Sequence, residues 1–285
     1  MCRMFAQVSP EPRSAAVPIL RSEYSLLRQV DADASNPQAD GWGIGWFDAD
    51  GRPRVEKSGA SAARERGRLT ACVERAASTV VIAHIRAASP GIPVDDAHAH
   101  PFCDDGWIFA HNGSLTIARE VAAELGARRA RLRTDSDSEV YFQQFLKHLD
   151  ATGSPRAAIE RCIEEDWRLW EDCRARYPGV ETPYTGLNAL AARPGQLHAV
   201  CHASRRGLAE CGVCHPAQPW SVMSLAERAG AVWASSEGVD AGEWTAFNPP
   251  EIVSCAVSDG RVAARRQRLT PRTERGAPIP EVSRP

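Results

Sequence analysis

Apolar and polar positions along the chain fall into two kinds of stretch. Runs of strand length recur at Arg3–Val8, Trp42–Phe47, Thr79–Ile85, Trp107–His111, Thr185–Ala192, Leu197–His202, Trp220–Ser224, Ala231–Ser235 and Ile252–Val257. Val80, Val81, Ile82, Ala83 and Ile85 are nearly continuous, the pattern of a strand covered on both faces. Between the strands lie helical patterns at Ile19–Val30, Ser61–Ala77, Leu115–Leu125, Ser138–Leu149 and Pro155–Arg176. In one of them Tyr141, Phe145 and Leu149 stand at i, i+4 and i+8, with Phe142 and Leu146 beside them, as an apolar stripe. Strands come in clusters rather than in strict alternation with helices, which predicts a mixed α+β layered fold. There is no internal repeat. Residues 2–258 read as one domain, and the Arg/Pro-rich segment 259–285 as a poorly ordered tail.

Composition narrows the classes of function. A formal charge of −2 over 285 residues gives no global attraction to nucleic acid or anionic lipid. No apolar run approaches the 18 or so residues of a membrane span, and MCRMFAQVSPEPR contains no apolar signal core. The expectation is a soluble, cytoplasmic protein whose oligomeric state the sequence leaves open. The nine cysteines are odd in number and scattered, which argues against a disulfide framework.

Several residues could carry chemistry. Removal of Met1 would leave Cys2 with a free α-amine, so one residue would hold both a nucleophile and a base titrating near neutral pH. Alone, a cysteine at position 2 is more often a coincidence. His84 and Arg86 share one face of a strand, and Arg86 ends it. A guanidinium there needs a carboxylate, from the protein in a structural ion pair or from a substrate. Asn112-Gly113 follows an apolar strand. It reads either as a tight hairpin turn or as two adjacent N–H donors for an oxyanion. Ser136 with Glu139 forms a capping-box pattern that places Asp137 in the first turn of a helix. Asp137 is then a helix-end stabiliser or a receptor for an ammonium group. His98 and His100 lie in a loop, with no further ligand at a familiar metal spacing.

Taken in order, Met1-Cys2, Asp40-Gly-Trp-Gly43, His84-x-Arg86, His100-Pro101, His111-Asn-Gly113 and Thr134-Asp-Ser-Asp-Ser-Glu139 resemble the class II glutamine amidotransferases. The similarity is nearest to the stand-alone bacterial group that includes the γ-glutamyl amidohydrolase of ergothioneine biosynthesis. It covers about residues 2–255, with the specific motifs in the first 140. The resemblance implies an N-terminal nucleophile fold, a four-layer αββα sandwich, and no cofactor or metal. It implies Cys2 as nucleophile, Asn112 and Gly113 as oxyanion hole, Arg86 as clamp for an α-carboxylate and Asp137 as receptor for an α-ammonium. Ser89 and His100 match positions lining the glutamine pocket. Many relatives carry Arg-Trp-Ala-Thr-His-Gly where this chain has Arg86-Ala-Ala-Ser89-Pro90-Gly91, so pocket details differ.

The implied reaction is hydrolysis of a small γ-glutamyl substrate, glutamine or a conjugate, through a thioester on Cys2. The alternative is a glutaminase subunit delivering ammonia to a separate synthase. The stretch Ser235–Asp240 with Trp244 resembles a C-terminal segment of the stand-alone group and favours the hydrolase. A different class, a Cys/His metal or haem site, rests on Cys211-Gly-Val-Cys214-His215 with Cys201-His202 upstream. It lacks a second CxxC. A catalytically silent relative would be expected to lose its nucleophile, and Cys2 is present.

Overall fold

The computed structural model describes residues 2–34, 37–89, 91–202, 214, 222–272 and 277–279. In chain order its strands are β1 (Arg3–Arg13), β2 (Trp42–Phe47), β3 (Pro53–Ser58), β4 (Ser78–Ile85), β5 (Phe102–Asp104), β6 (Trp107–Leu115), β7 (Tyr184–Arg193), β8 (Gln196–Cys201), β9 (Ser224–Arg228), β10 (Ala231–Ser235), β11 (Thr245–Ala246), β12 (Glu251–Ser258) and β13 (Arg261–Arg268). The α-helices among the described residues are α1 (Arg66–Arg75), α2 (Ala118–Ala123), α3 (Asp137–Thr152) and α4 (Pro155–Cys173). One sheet has the order β11-β9-β10-β1-β4-β2-β3 and the other β13-β12-β8-β7-β6-β5. Both are antiparallel throughout. Each sheet draws strands from both halves of the chain, so neither half closes a core alone.

Strand alternation sorts the apolar side chains into three layers. Met4, Ala6, Val8, Val80 and Ile82 of the first sheet face Ile108, Ala110, Leu190 and Ala199 of the second. On the outer side of the first sheet, Phe5, Val81, Ala83 and Ile85 pack under Leu69, Cys72 and Val73 of α1. On the outer side of the second, Phe109, Leu187 and Ala189 meet α3 and α4 through Tyr141, Phe142, Phe145, Ile159 and Ile163. The result is the expected helix–sheet–sheet–helix sandwich. β4 is continuously apolar because both of its faces are covered. α3 begins where Ser136 caps it, accepting from the amide of Ser138, and ends at Gly153 in the left-handed conformation.

The structure differs from the sequence reading in four elements. Of the strand expected at Trp220–Ser224, Trp220 and Ser221 lie outside the described residues, and β9 starts only at Ser224. The segment Ile19–Val30 is not one helix. A single π-helical turn, Val17–Arg21, and a 3₁₀ turn, Arg28–Val30, flank a fold-back in which Leu26 N donates to Pro18 O and Tyr24 N donates to Val239 O. The apolar spacing there reports burial of Ile19, Leu26 and Val30 without helical continuity. Asn112-Gly113 does not turn: β6 runs through both residues, with Asn112 opposite Asn188 on β7. The first part of the expected tail is β13, paired along its whole length with β12. Its arginines suit an edge strand, and Arg266 is held by Glu251 of β12. Among the described residues no helix is long and apolar enough to cross a membrane.

Candidate active site

The site forms where three strands end on the inter-sheet face. Alternation puts Cys2 on the same side as Met4 and Ala6, Arg86 on the side of Ile82 and His84, and Asn112 on the side of Ile108 and Ala110. Because β1 and β4 are antiparallel, with Arg3 opposite Ile85, the start of one meets the end of the other. Cys2 Sγ therefore lies 3.4 Å from both the amide N and the carbonyl O of Ala87, next in the chain to Arg86. Across the gap, Asn112 Nδ2 donates to the Cys2 carbonyl at 2.7 Å.

The end of β6 gathers the remaining parts. Ser114 Oγ is 3.4 Å from Ser89 Oγ, and Leu115 N donates to Asp137 Oδ2 at 2.9 Å. His111 fixes β6 from its other face: Nε2 donates to Gly186 O, which leaves Nδ1 to accept the Ser138 hydroxyl at 3.0 Å. Gly113 must be glycine for a steric reason. A Cβ there would sit 1.9 Å from Gly186 O on the paired strand.

Electrostatics favour an anion beside the thiol. Arg86 is only 4% exposed, and its Nη1 donates to Pro93 O at 2.8 Å. No carboxylate of the described residues lies within ion-pair distance of it, so the structural ion pair considered from sequence is not formed. Asp40 accepts from Ala88 N at 2.8 Å and holds the chain as it leaves Arg86. Burial pushes the Cys2 thiol up from its usual range, against the opposing pull of the Ala87 amide and the charges of Arg86 and Arg3. A thiol in that state needs a base to react. The nearby histidines do not supply one. Burial lowers His84 to about 3 and His100 well below its ordinary value. The two rings lie 4.2 Å apart, both buried.

The sequence-derived candidates are thus distributed unevenly. Cys2, Arg86, Asn112 and Gly113 converge, and Ser89 and Asp137 join them through β6. His100 is buried against His84 and Phe102, so it supports the wall rather than presenting a free nitrogen at the surface. The capping box is not formed as expected: Glu139 accepts from Arg133 N, Thr134 N and the Thr134 hydroxyl instead of Ser136 N. Asp137 keeps its place in the first turn, with Oδ1 accepting from Ser138 N at 2.8 Å. Sequence reasoning did not single out Lys57, whose ammonium donates to Ala97 O and Ala99 O and pins the loop carrying His98 and His100. Burial pushes Lys57 down to about 8. It is one of two lysines in the chain, and that rarity was the signal available. Cys211 and His215 lie outside the described residues. His202 engages the Tyr184 hydroxyl at 2.7 Å, and the described residues contain no cluster of three or more metal-ligating side chains.

Comparison with known proteins bears on the family and the fold. The chain is 30% identical over 156 residues to the γ-glutamyl-hercynylcysteine sulfoxide hydrolase of Mycolicibacterium smegmatis, a match covering 53% of this chain and 67% of that protein. It is 25% identical over 169 residues to a probable glutamine amidotransferase of Saccharomyces cerevisiae, covering 54% of this chain and 47% of the yeast protein. Among solved structures, a glutamine aminotransferase class-II domain protein from Silicibacter pomeroyi superposes with a TM-score of 0.62 at 20% identity, over 93% of this chain and 98% of the other. The glutamine phosphoribosylpyrophosphate amidotransferase of B. subtilis does so with a TM-score of 0.57 at 16% identity, over 93% of this chain and 49% of that one. These two likenesses are of fold. Residues 1–171, which contain the cysteine, the buried arginine, the Asn–Gly pair and the helix-start aspartate, match the family described as glutamine amidotransferases class-II, and the chain belongs to that family.

Proposed function

We propose that this protein hydrolyses γ-glutamyl amides, glutamine itself or a γ-glutamyl conjugate, releasing glutamate and ammonia or an amine. The observation that carries the reading is Arg86: a buried guanidinium, unmatched by any described carboxylate, one residue from the amide that touches the Cys2 sulfur. Burying such a cation is costly unless an anion meets it. The α-carboxylate of a glutamyl group fits its planar fork. Asp137, oriented by Leu115 N and Ser138 N, receives the α-ammonium, so both charges of the amino acid are read.

The chemistry follows from the charge that develops. With Met1 removed, the Cys2 α-amine takes the thiol proton, and the sulfur attacks the γ-carbonyl carbon. Negative charge gathers on the former carbonyl oxygen, where Asn112 Nδ2–H and Gly113 N–H stabilise it. Collapse breaks the C–N bond, and the amine passes its proton to the leaving nitrogen. Water, deprotonated by the same amine, attacks the γ-glutamyl thioester; glutamate leaves and the thiol is restored. The similarity to a γ-glutamyl-hercynylcysteine sulfoxide hydrolase supports the hydrolase reading over the ammonia donor; we place the enzyme in the cytosol and take residues 2–258, extended by β13, as one domain.

The test is incubation of the purified protein, its N-terminal mass established, with glutamine and with γ-glutamyl amines. Glutamate release without any second protein is expected, and Cys2→Ala should abolish it. Glutamate released only when a synthase is added would favour the ammonia-donor alternative. Absence of glutamate from every substrate, with Cys2 N-terminal and the fold intact, would refute the reading.

A further inference from the structure

The main-chain ladder that holds β1 is uneven at the end that matters. On the β4 side it reaches Arg3, opposite Ile85. On the β10 side it stops at Phe5, opposite Ser235. Among the described residues, no strand pairs with residues 2–4, which carry the nucleophile, on that side. Residues 235–237 take over with other groups. Ser236 N and Ser235 Oγ both donate to Met4 O, at 2.9 and 3.1 Å, and Met4 N donates to Ser236 Oγ at 3.0 Å. Next to them Arg3 Nε lies 3.5 Å from Glu237 Oε2, with both side chains out of contact with water at 4% and 0% exposure. The Ser235 hydroxyl also lies within hydrogen-bond reach of the Glu237 carbonyl, so its one proton is shared between the two carbonyl oxygens, and Glu237 Oε1 accepts from Cys214 N. The far end of the segment is tied down as well: Val239 O accepts from Tyr24 N, and Asp240 grips Arg228 with both oxygens.

From this geometry we infer that Ser236 and Glu237 are positioning residues for the nucleophile: through Met4 and Arg3 they set where the Cys2 thiol stands relative to Ala87 and Asn112. The inference rests on the proposed reaction, and it assigns a role to residues outside the 1–171 segment that matches the family. A buried ion pair is a poor way to gain stability, since an apolar pair of similar size generally serves as well or better. Its value here is directional. Arg3 can meet Glu237 in one register of β1 only, and a slip of one residue would turn Cys2 to the opposite face. Displacing a reacting group by about 1 Å costs on the order of 10²-fold in rate.

The test compares wild type, Glu237→Gln and the apolar double replacement Arg3→Met/Glu237→Leu in the full-length, processed protein. Glu237→Gln removes the carboxylate charge that stands 3.5 Å from Arg3 Nε. It is expected to lower kcat at least tenfold while KM for the glutamyl substrate stays within about twofold, because Arg86 and Asp137 are untouched. The double replacement separates positioning from stability. It is expected to recover the thermal midpoint but not kcat. The pH midpoint for alkylation of Cys2 by iodoacetamide should move upward in it, because the Arg3 charge is gone and the Ala87 amide no longer meets the sulfur as squarely. Recovery of kcat together with stability, or an alkylation midpoint equal to that of wild type, would overturn the inference. The alkylation readout needs no turnover. A wild-type protein that releases no glutamate would therefore count against the proposed reaction, while the shift in midpoint would still decide the role of the pair.

Discussion

Replacing Gly113 by alanine adds one carbon to the oxyanion corner, and the structure says where it would go. The new Cβ would stand 1.9 Å from Gly186 O, 2.5 Å from Gly186 C and 2.9 Å from His111 Nε2. Two of these atoms are backbone of β7, so no rotamer relieves the clash. Ordinary contact needs roughly 1.5 Å more, so β6 must part from β7 or rotate its peptide. Either movement carries the Gly113 N–H away from the oxyanion proposed to form there, and loss of one such donor costs about 10²–10³-fold in kcat, or about 2.7–4 kcal/mol. Overpacking of this kind also costs about 1–3 kcal/mol of stability. Gly186→Ala is the matched control. Its Cβ would meet Asn112 O and Gly113 Cα at 3.7 Å, an ordinary contact. The assay is glutamate release from glutamine and from a γ-glutamyl amine, with urea unfolding on the same preparations. Gly113→Ala should fall at least 10²-fold in kcat and Gly186→Ala no more than a few-fold. A folded Gly113→Ala enzyme with wild-type kcat, or equal damage from both variants, would refute the steric reasoning.

Other outcomes follow from the same geometry. Arg86→Met should reduce kcat/KM for glutamine by about 30-fold or more, while a substrate whose α-carboxylate is blocked loses little; equal losses for both would remove the clamp role. Acid should weaken the fold through buried imidazoles. Burial holds His198 and His202 near 4, while an unfolded histidine titrates near 6.5. Their contribution is complete above pH 6.5 and is lost as pH falls toward 4, at up to about 1.4 kcal/mol per pH unit per residue. A urea midpoint that is flat from pH 7 to 5 would contradict this. At the alkaline end, burial raises Cys72 and Cys255 to about 12, so stability should decline as pH climbs above 9, where unfolded thiols ionise, and alkylation of the unfolded chain should make the loss irreversible. Asp166 is fully buried and pushed well above the carboxylate range, with Gln144 Nε2 donating to its Oδ1 at 2.9 Å. Asp166→Asn keeps that bond and removes the cost of ionisation, so urea unfolding at pH 7 should show no loss of stability, and a drop of more than about 1 kcal/mol would refute the assignment.

Local sequence determined what local periodicity can carry. The period of two placed His84 and Arg86 on one face, and the continuous run before them announced a strand covered on both sides. The apolar stripe of Tyr141, Phe145 and Leu149 and the cap at Ser136 specified α3, because these are contacts within a few turns of one helix. The identity of Cys2, Arg86, Asn112, Gly113 and Asp137 as candidates was also legible, since each is a residue type suited to its task. What stayed hidden depends on pairing between distant segments. Asn-Gly continues as a strand because β7 runs alongside it, and that partner lies more than seventy residues away. Arg261–Arg268 becomes a strand because β12 offers a ladder, although its composition reads as a tail. Glu237 acquires a role only when β10 ends beside Arg3, 234 positions earlier. A sequence states which faces must be buried and which groups need partners; only the closed sandwich decides which distant chain segment meets each of them.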